Sequence, residues 1–196
     1  MLEIEKSELP FSGLANGGDI LRADWVAREE LSHVLAALTP PNRLAMEISA
    51  ATGLRIGDVL SLRTEQLRNA SERRVSVRAQ KTGKLIRVKL PVDLYERALR
   101  QAGRVWVFEG RLDWRRPRTR QAVYKDVVRA ARLFRCRAHI SPHTARKAFA
   151  VAAYQRTGGN AQRVQKLLQH SSEAVTMIYA LADELTRRRL GEEAAH

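Results

Sequence analysis

The stretch Ser141–Tyr179, SPHTARKAFAVAAYQRTGGNAQRVQKLLQHSSEAVTMIY, constrains this chain more than any other. Ser141-Pro142 is a helix start, with Ser as N-cap and Pro at the first helical position. A helix N-terminus offers free N–H groups and the positive end of a dipole, so it favours an anion. His143 and Arg146, three apart, share one face of that first turn and suit a phosphate there. The run Phe149, Val151, Ala152, Ala153, Tyr154 is expected to bury the other face. Gly158-Gly159 stops the helix, and Asn160 can cap the next, Ala161–Leu168. His170 follows at its end, and Tyr179 comes one short helix later.

A partner class follows from charge. The 196 residues carry a formal net charge of +14, mostly from arginine, whose planar fork matches phosphate. Nucleic acid is the leading partner and an anionic membrane surface the weaker one. Hydrophobic residues make up 44%, enough for one sizeable domain with a real core. Cys136 is the single cysteine, which excludes an intrachain disulfide and a cysteine metal cluster and fits a cytosolic protein. The start MLEIEKSELP is acidic and lacks an apolar h-region, and no apolar run is long enough to span a membrane.

Along the chain, residues 1–21 read as an irregular arm, with Gly13, Asn16, Gly17 and Gly18 against regular structure. From Asp24, a plausible N-cap, Trp25, Val26, Leu31, Val34, Leu35 and Leu38 recur at helical spacing. Thr39-Pro40-Pro41 breaks that helix, and a second, about Asn42–Thr52, turns Leu44, Ala45, Ile48 and Ala51 inward. Gly53 reads as its C-terminal cap. Arg55 then opens a helix Ile56–Leu62, with Asp58 three residues on and able to reach back to it. Arg73–Ala79 and Leu85–Leu90 alternate as strands around a tight turn, Gln80-Lys81-Thr82-Gly83-Lys84. A helix Val92–Ala102, a short buried piece Val105–Phe108 and a helix Gln121–Phe134 follow. Between the last two lies a basic loop with Arg111, Arg115, Arg116, Arg118 and Arg120 around Trp114, suited to DNA phosphates. Tyr124 and Arg129 are further candidates to face DNA. After Tyr179, about 183–190 reads as a terminal helix with an Arg187-Arg188-Arg189 run.

His-x-x-Arg, then Leu-x-His, then Tyr, in that order, resembles the tyrosine recombinase (phage integrase) family. Upstream, TGLRIGDVLSL resembles that family's first arginine box, and Lys81-Thr82-Gly83 its lysine-bearing hairpin. The resemblance covers about Arg22–Leu190 and implies a mixed, mainly α catalytic domain, 22–196, with a small antiparallel β-sheet. No separate DNA-clamping domain is expected ahead of it. It implies site-specific cleavage and rejoining of DNA through a 3′-phosphotyrosine, with Tyr179 as nucleophile. Arg55 and Arg146 would clamp the phosphate, and Lys81 would protonate the departing 5′ oxygen, with Lys84 as the alternative in the turn. His143 would relay the tyrosine's proton, His170 would hydrogen-bond the phosphate, and Asp58 would hold Arg55. His139 competes with His143 but lacks the His-x-x-Arg spacing. Lys147 stands where the family commonly has His and is a DNA-binding candidate, and Gln169 replaces the usual Gly before His170.

The implied cofactor requirement is none, neither metal nor ATP. The implied partners are double-stranded DNA and further copies of the chain on it, assembling as a tetramer through the C-terminal helix. The implied location is the cytoplasm, at the nucleoid, in a chain of mobile-element type. Two other functions are compatible with these residues: a non-catalytic binder that regulates recombination sites, and a type IB topoisomerase-like enzyme.

Overall fold

The computed structural model describes residue 26 and residues 28–168, which form a mainly helical body with one small antiparallel sheet. His170, Tyr179, the N-terminal arm and the helix expected near 183–190 lie outside the described residues. Helix α1 is Arg28–Ala36, α2 Pro40–Thr52, α3 Ile56–Leu60 and α4 Thr64–Arg68. Strands β1 (Arg74–Arg78) and β2 (Leu85–Lys89) follow, then α5 (Val92–Gln101), α6 (Arg120–Leu133), α7 (Pro142–Arg156) and α8 (Ala161–Leu167).

Local chemistry sets the element ends. Pro40 does more than end α1: it opens α2, two residues earlier than the apolar spacing suggests. A proline at the first position gives up an N–H that a helix would leave unbonded anyway. Thr39, just before it, does not cap α2 with its side chain but turns to α6. Its backbone N–H and hydroxyl donate to Asp126 Oδ2 at 2.9 and 2.8 Å. Asn42 Nδ2 adds a third bond to that oxygen at 2.7 Å, and Arg129 holds Oδ1 through Nε and Nη2. Burial alone would raise the Asp126 carboxyl; the bonds from Arg129, Asn42 and Thr39 outweigh it and hold the group at about 2. This knot ties α2 to α6.

The core follows the expected periodicity. Leu31, Val34 and Leu35 of α1, Leu44, Ala45 and Ile48 of α2, and Val123, Val127 and Ala130 of α6 are buried together. Each Leu, Val or Ile among them contributes about 1.5–3 kcal/mol on full burial. Ala51 and Ala152, expected inward, are exposed instead and line an open groove between α1, α2 and α7. In the sheet Val75 pairs with Val88 and Val77 with Ile86, and Val75, Val77 and Ile86 are buried against the helical layer. α7 packs on α2, and Phe149, Val151 and Ala153 join Val164 and Leu168 in a second buried cluster.

Gly53 makes that last contact close. It caps α2 at φ +71°, the left-handed region, and its N–H returns to Ser49 O at 2.8 Å. A Cβ there would stand 2.6 Å from the Phe149 ring, so both backbone and packing call for glycine.

Candidate active site

Helix α7 begins as the sequence predicts. Ser141 Oγ accepts from His143 N at 3.3 Å, and Ser141 N donates to Thr144 Oγ1 at 3.1 Å. With Pro142 at the first position, this holds the helix start rigid. His143 is half-buried at that start. At the far end Gly158 and Gly159 take left-handed φ values of 63° and 81°, and Asn160 Oδ1 caps α8 through Arg163 N at 2.9 Å.

Arg146, expected to share an open phosphate face with His143, is buried at 2% exposure. Its Nη1 donates to Gly53 O, and its Nη2 to Leu168 O at 3.1 Å. One side chain therefore joins the residue two before Arg55 to the residue two before His170. Its Nε is a buried donor with no hydrogen bond. Burial lowers the Arg146 pKa, the neighbouring Arg55 lowers it further, and Asp58 opposes both, leaving it at about 10. The guanidinium is thus still charged at neutral pH.

Arg55 sits immediately before α3, with φ −65° and ψ 146°, and is half-buried. Burial lowers its pKa and the attraction of Asp58 raises it. Asp58 is buried at 1% exposure, as a carboxylate serving both arginines would be. Its Oδ1 accepts from Gln80 N at 2.9 Å, and its Oδ2 is buried without a hydrogen bond. Asp58 therefore connects three pieces: the two arginines by charge and the β1–β2 turn by a hydrogen bond.

That turn carries Lys81 and Lys84, both exposed. Ala79 N donates to Lys84 O at 2.9 Å, and Gly83 N to Ala79 O at 2.8 Å. Ala79 is buried, so the hairpin is anchored one residue before Gln80. Sequence reasoning missed Gln80 because a polar residue in a turn reads as solvated. It also missed Asn42 and Asp126.

Ile56, Thr119, Arg120, Tyr124, Ser141 and His143 contribute to a cleft of about 440 Å³. Arg120 and Tyr124 are exposed there, so two of the DNA candidates adjoin His143. Lys147 is half-buried one residue after Arg146. The basic loop is ordered by its own bonds: Arg115 N donates to Asp113 Oδ1 at 2.9 Å, and Gly110 N to Arg116 O at 2.8 Å. Arg111, Arg115 and Arg116 are exposed. Arg115 and Arg104 each lie over the Trp114 ring, at 5.2 and 5.1 Å. Arg118 differs from the expected outward phosphate contact. It is turned inward, its Nε donating to Asn42 Oδ1, and burial lowers its pKa. Arg129 is likewise engaged, by Asp126 and by Ala37 O at 2.6 Å. His139 is exposed and lies outside the cleft.

Two guanidinium groups, a carboxylate between them, a helix N-terminus with a histidine and a lysine turn tied to the carboxylate can neutralise and orient one anion. Among the described residues, no group of three or more His, Cys, Asp or Glu is placed to hold a metal ion, and no helix is long and apolar enough to cross a membrane.

The chain is similar to known proteins in sequence and in fold. A model described as the phage integrase family matches residues 24–185. The probable integrase/recombinase YoeC of Bacillus subtilis (strain 168) is 32% identical over 141 residues, 70% of this chain and 75% of that protein. XerH site-specific recombinase, in a pre-cleavage complex with its difH substrate, shares the fold at TM-score 0.62 and 22% identity, over 79% of this chain. A lambda integrase (75–356) dimer bound to a COC′ core site does so at 0.63 and 20%, over 78%. The chain spans 50% and 59% of those two structures. The catalytic domain of bacteriophage HP1 integrase matches at 0.58 and 20%, over 81% of this chain and 87% of that one.

Proposed function

We propose a function from one premise: the chain belongs to the phage integrase family. It cleaves and rejoins DNA strands at specific sites through a covalent 3′-phosphotyrosine. The observation that carries this reading is the Arg55–Asp58–Arg146 cluster, joined to the Lys81 turn through Asp58 and Gln80. A metal-free phosphodiester cut needs charge on the non-bridging oxygens, a nucleophile and an acid for the leaving oxygen. Arg55 and Arg146 supply the charge, and Arg146 Nε is a buried donor still lacking an acceptor.

The nucleophile in this reading is Tyr179. Its phenol, with an ordinary pKa near 10, gives its proton to His143 as Oη attacks phosphorus. The P–O5′ bond breaks while Lys81 transfers a proton to O5′, leaving a 5′-hydroxyl, and His170 hydrogen-bonds the phosphate. The phosphotyrosine conserves the energy of the broken bond, so a 5′-hydroxyl reverses the step without ATP. Neither ATP nor metal takes part. Arg111, Arg115, Arg116, Arg120, Tyr124, Lys84 and Lys147 contact DNA beyond the cut phosphate. Copies of the chain assemble on their sites as a tetramer through the helix near 183–190, in the cytoplasm at the nucleoid. Residues 22–196 form the catalytic domain and 1–21 an arm.

A second reading is a non-catalytic occupant of recombination sites, favoured by the burial of Arg146 at 2% exposure, where an incoming phosphate has little access to it. One experiment separates the two. Wild type incubated with nicked cognate DNA in EDTA is expected to form a denaturant-resistant adduct that maps to Tyr179, and Tyr179→Phe to form none while still binding. Binding without an adduct would establish the second reading. An adduct abolished by EDTA and restored by magnesium would refute the metal-free step, and one mapping to Tyr154 would refute the nucleophile.

A further inference from the structure

Gln80 precedes Lys81, and it is held at two points by two consecutive residues of α3. Its backbone N–H donates to Asp58 Oδ1 at 2.9 Å, and its side-chain Nε2 donates to Gly57 O at 3.3 Å. Gly57 is buried, and a Cβ built there would meet Gln80 Oε1 at 2.9 Å and Arg120 Cδ at 3.1 Å. The bare α-carbon of Gly57 is therefore the seat on which the Gln80 amide lies. Gly57 has ordinary helical backbone inside α3, so conformational freedom does not explain a glycine there. Closeness of approach does.

We propose that Gln80 is a positioning residue that locks the Lys81 hairpin to the helix opened by Arg55, so that the group protonating O5′ is set relative to the group holding the phosphate. This rests on the strand-transfer reading above and deepens it. A lysine side chain has four rotatable carbons, so the backbone that carries it must be fixed for proton transfer to be well aligned. The hairpin base is fixed by buried Ala79, and Arg78 Nη1 donates to Gly83 O at 2.9 Å across the turn. The pair of bonds through Gln80 ties the turn to the phosphate site itself.

The step served is the one in which Tyr179 Oη–P forms, P–O5′ breaks and one proton passes from Lys81 Nζ to O5′. A bridging sulfur in place of O5′ removes the need for that proton, because a thiol is far more acidic than an alcohol and leaves as its anion. The test therefore compares single-turnover adduct formation on suicide DNA with a 5′-bridging oxygen and with a 5′-bridging sulfur. Gln80→Ala keeps its backbone N–H and loses only the amide clamp. It is expected to slow the oxygen substrate about tenfold or more, part of the 10²–10⁴ available to a positioned acid. The sulfur substrate should change less than about threefold, and DNA affinity should match wild type. Gly57→Ala, which unseats the amide from the other side, should show the same leaving-group-selective loss. Equal losses on both substrates, or none on either, would overturn the positioning role while leaving strand transfer intact. A wild-type protein that forms no adduct with either substrate would overturn the strand-transfer reading and this inference with it.

Discussion

Replacing Arg146 by alanine tests whether a buried guanidinium holds the site's pieces together. The change removes charge-assisted hydrogen bonds to Gly53 O and Leu168 O. Each such bond is worth about 1.5–3 kcal/mol, so about 3–6 kcal/mol is lost. The void left by the side chain adds about 2 kcal/mol. Against this, a charge in an unfavourable place is removed: its pKa of about 10 corresponds to about 3 kcal/mol of penalty. The net expectation is destabilisation by about 2–5 kcal/mol. For a domain of this size each kcal/mol moves Tm by about 2–4 °C, so Tm should fall by about 4–20 °C with the fold retained. Arg55→Ala is the control: half-buried and at a helix start, it should cost under about 1 kcal/mol. Both variants should lose at least about 10²-fold in adduct formation, the scale of one preorganised donor. Thermal unfolding followed by circular dichroism, beside the adduct assay, separates the two roles. An unchanged Tm in Arg146→Ala would refute the staple, and unfolding of Arg55→Ala would refute its placement at the phosphate.

Other outcomes follow from the same structure. Asp126 is held at about 2, below the unfolded carboxylate near 3.9, so its contribution is present above pH 4 and is lost as pH falls towards 2. The stability gap between wild type and Asp126→Asn, read from urea midpoints, should be about 2 kcal/mol at pH 6 and close through that window; a gap that widens on acidification would refute the knot. Neutralising Arg111, Arg115 and Arg116 should each flatten the log–log salt dependence of DNA binding by about 0.9, whereas Arg118→Ala should lower Tm with little change of slope. Equal slopes in all four variants would make the loop a solvated surface. Gly53→Ala should cost about 1–3 kcal/mol in urea unfolding, since its Cβ would meet the Phe149 ring at 2.6 Å in a left-handed backbone; a neutral result would contradict the packing.

Features set by neighbours in sequence are legible in the sequence itself. Ser141-Pro142, Gly53, Gly158-Gly159 and Asn160 act within four or five residues, and each ends or starts a helix as expected. The Arg55–Asp58 spacing and the hairpin around Lys81 are local in the same way. Hydrophobic period locates the core faces but not their edges, so Ala51 and Ala152 read as inward yet line a groove. Long-range polar partners left no trace. Asp126 looks like half of an ordinary i,i+3 pair with Arg129, yet its other bonds come from residues 84 and 87 positions away. Arg146 reads as an open phosphate ligand, and its partners lie 93 and 22 positions away.

The separation of the two arginines has a physical consequence. A phosphate clamp needs groups free to reach the anion, and it also needs them at fixed distances while strands are exchanged. One side chain serves both ends poorly: exposure gives reach and screening, whereas burial gives rigidity and undiminished field. Arg55, half-buried and at a helix start, has the reach. Arg146, buried and bonded to backbone on both sides, has the rigidity, and its charge acts through a low-dielectric interior. Asp58 makes their closeness tolerable, since it raises the pKa of both while accepting the Gln80 amide. Removing that negative charge would leave the repulsion between two like charges unopposed and weaken one of the two bonds that hold Gln80. Asp58→Asn should therefore lose more adduct formation than Gln80→Ala, and the loss should persist on the sulfur-bridged substrate.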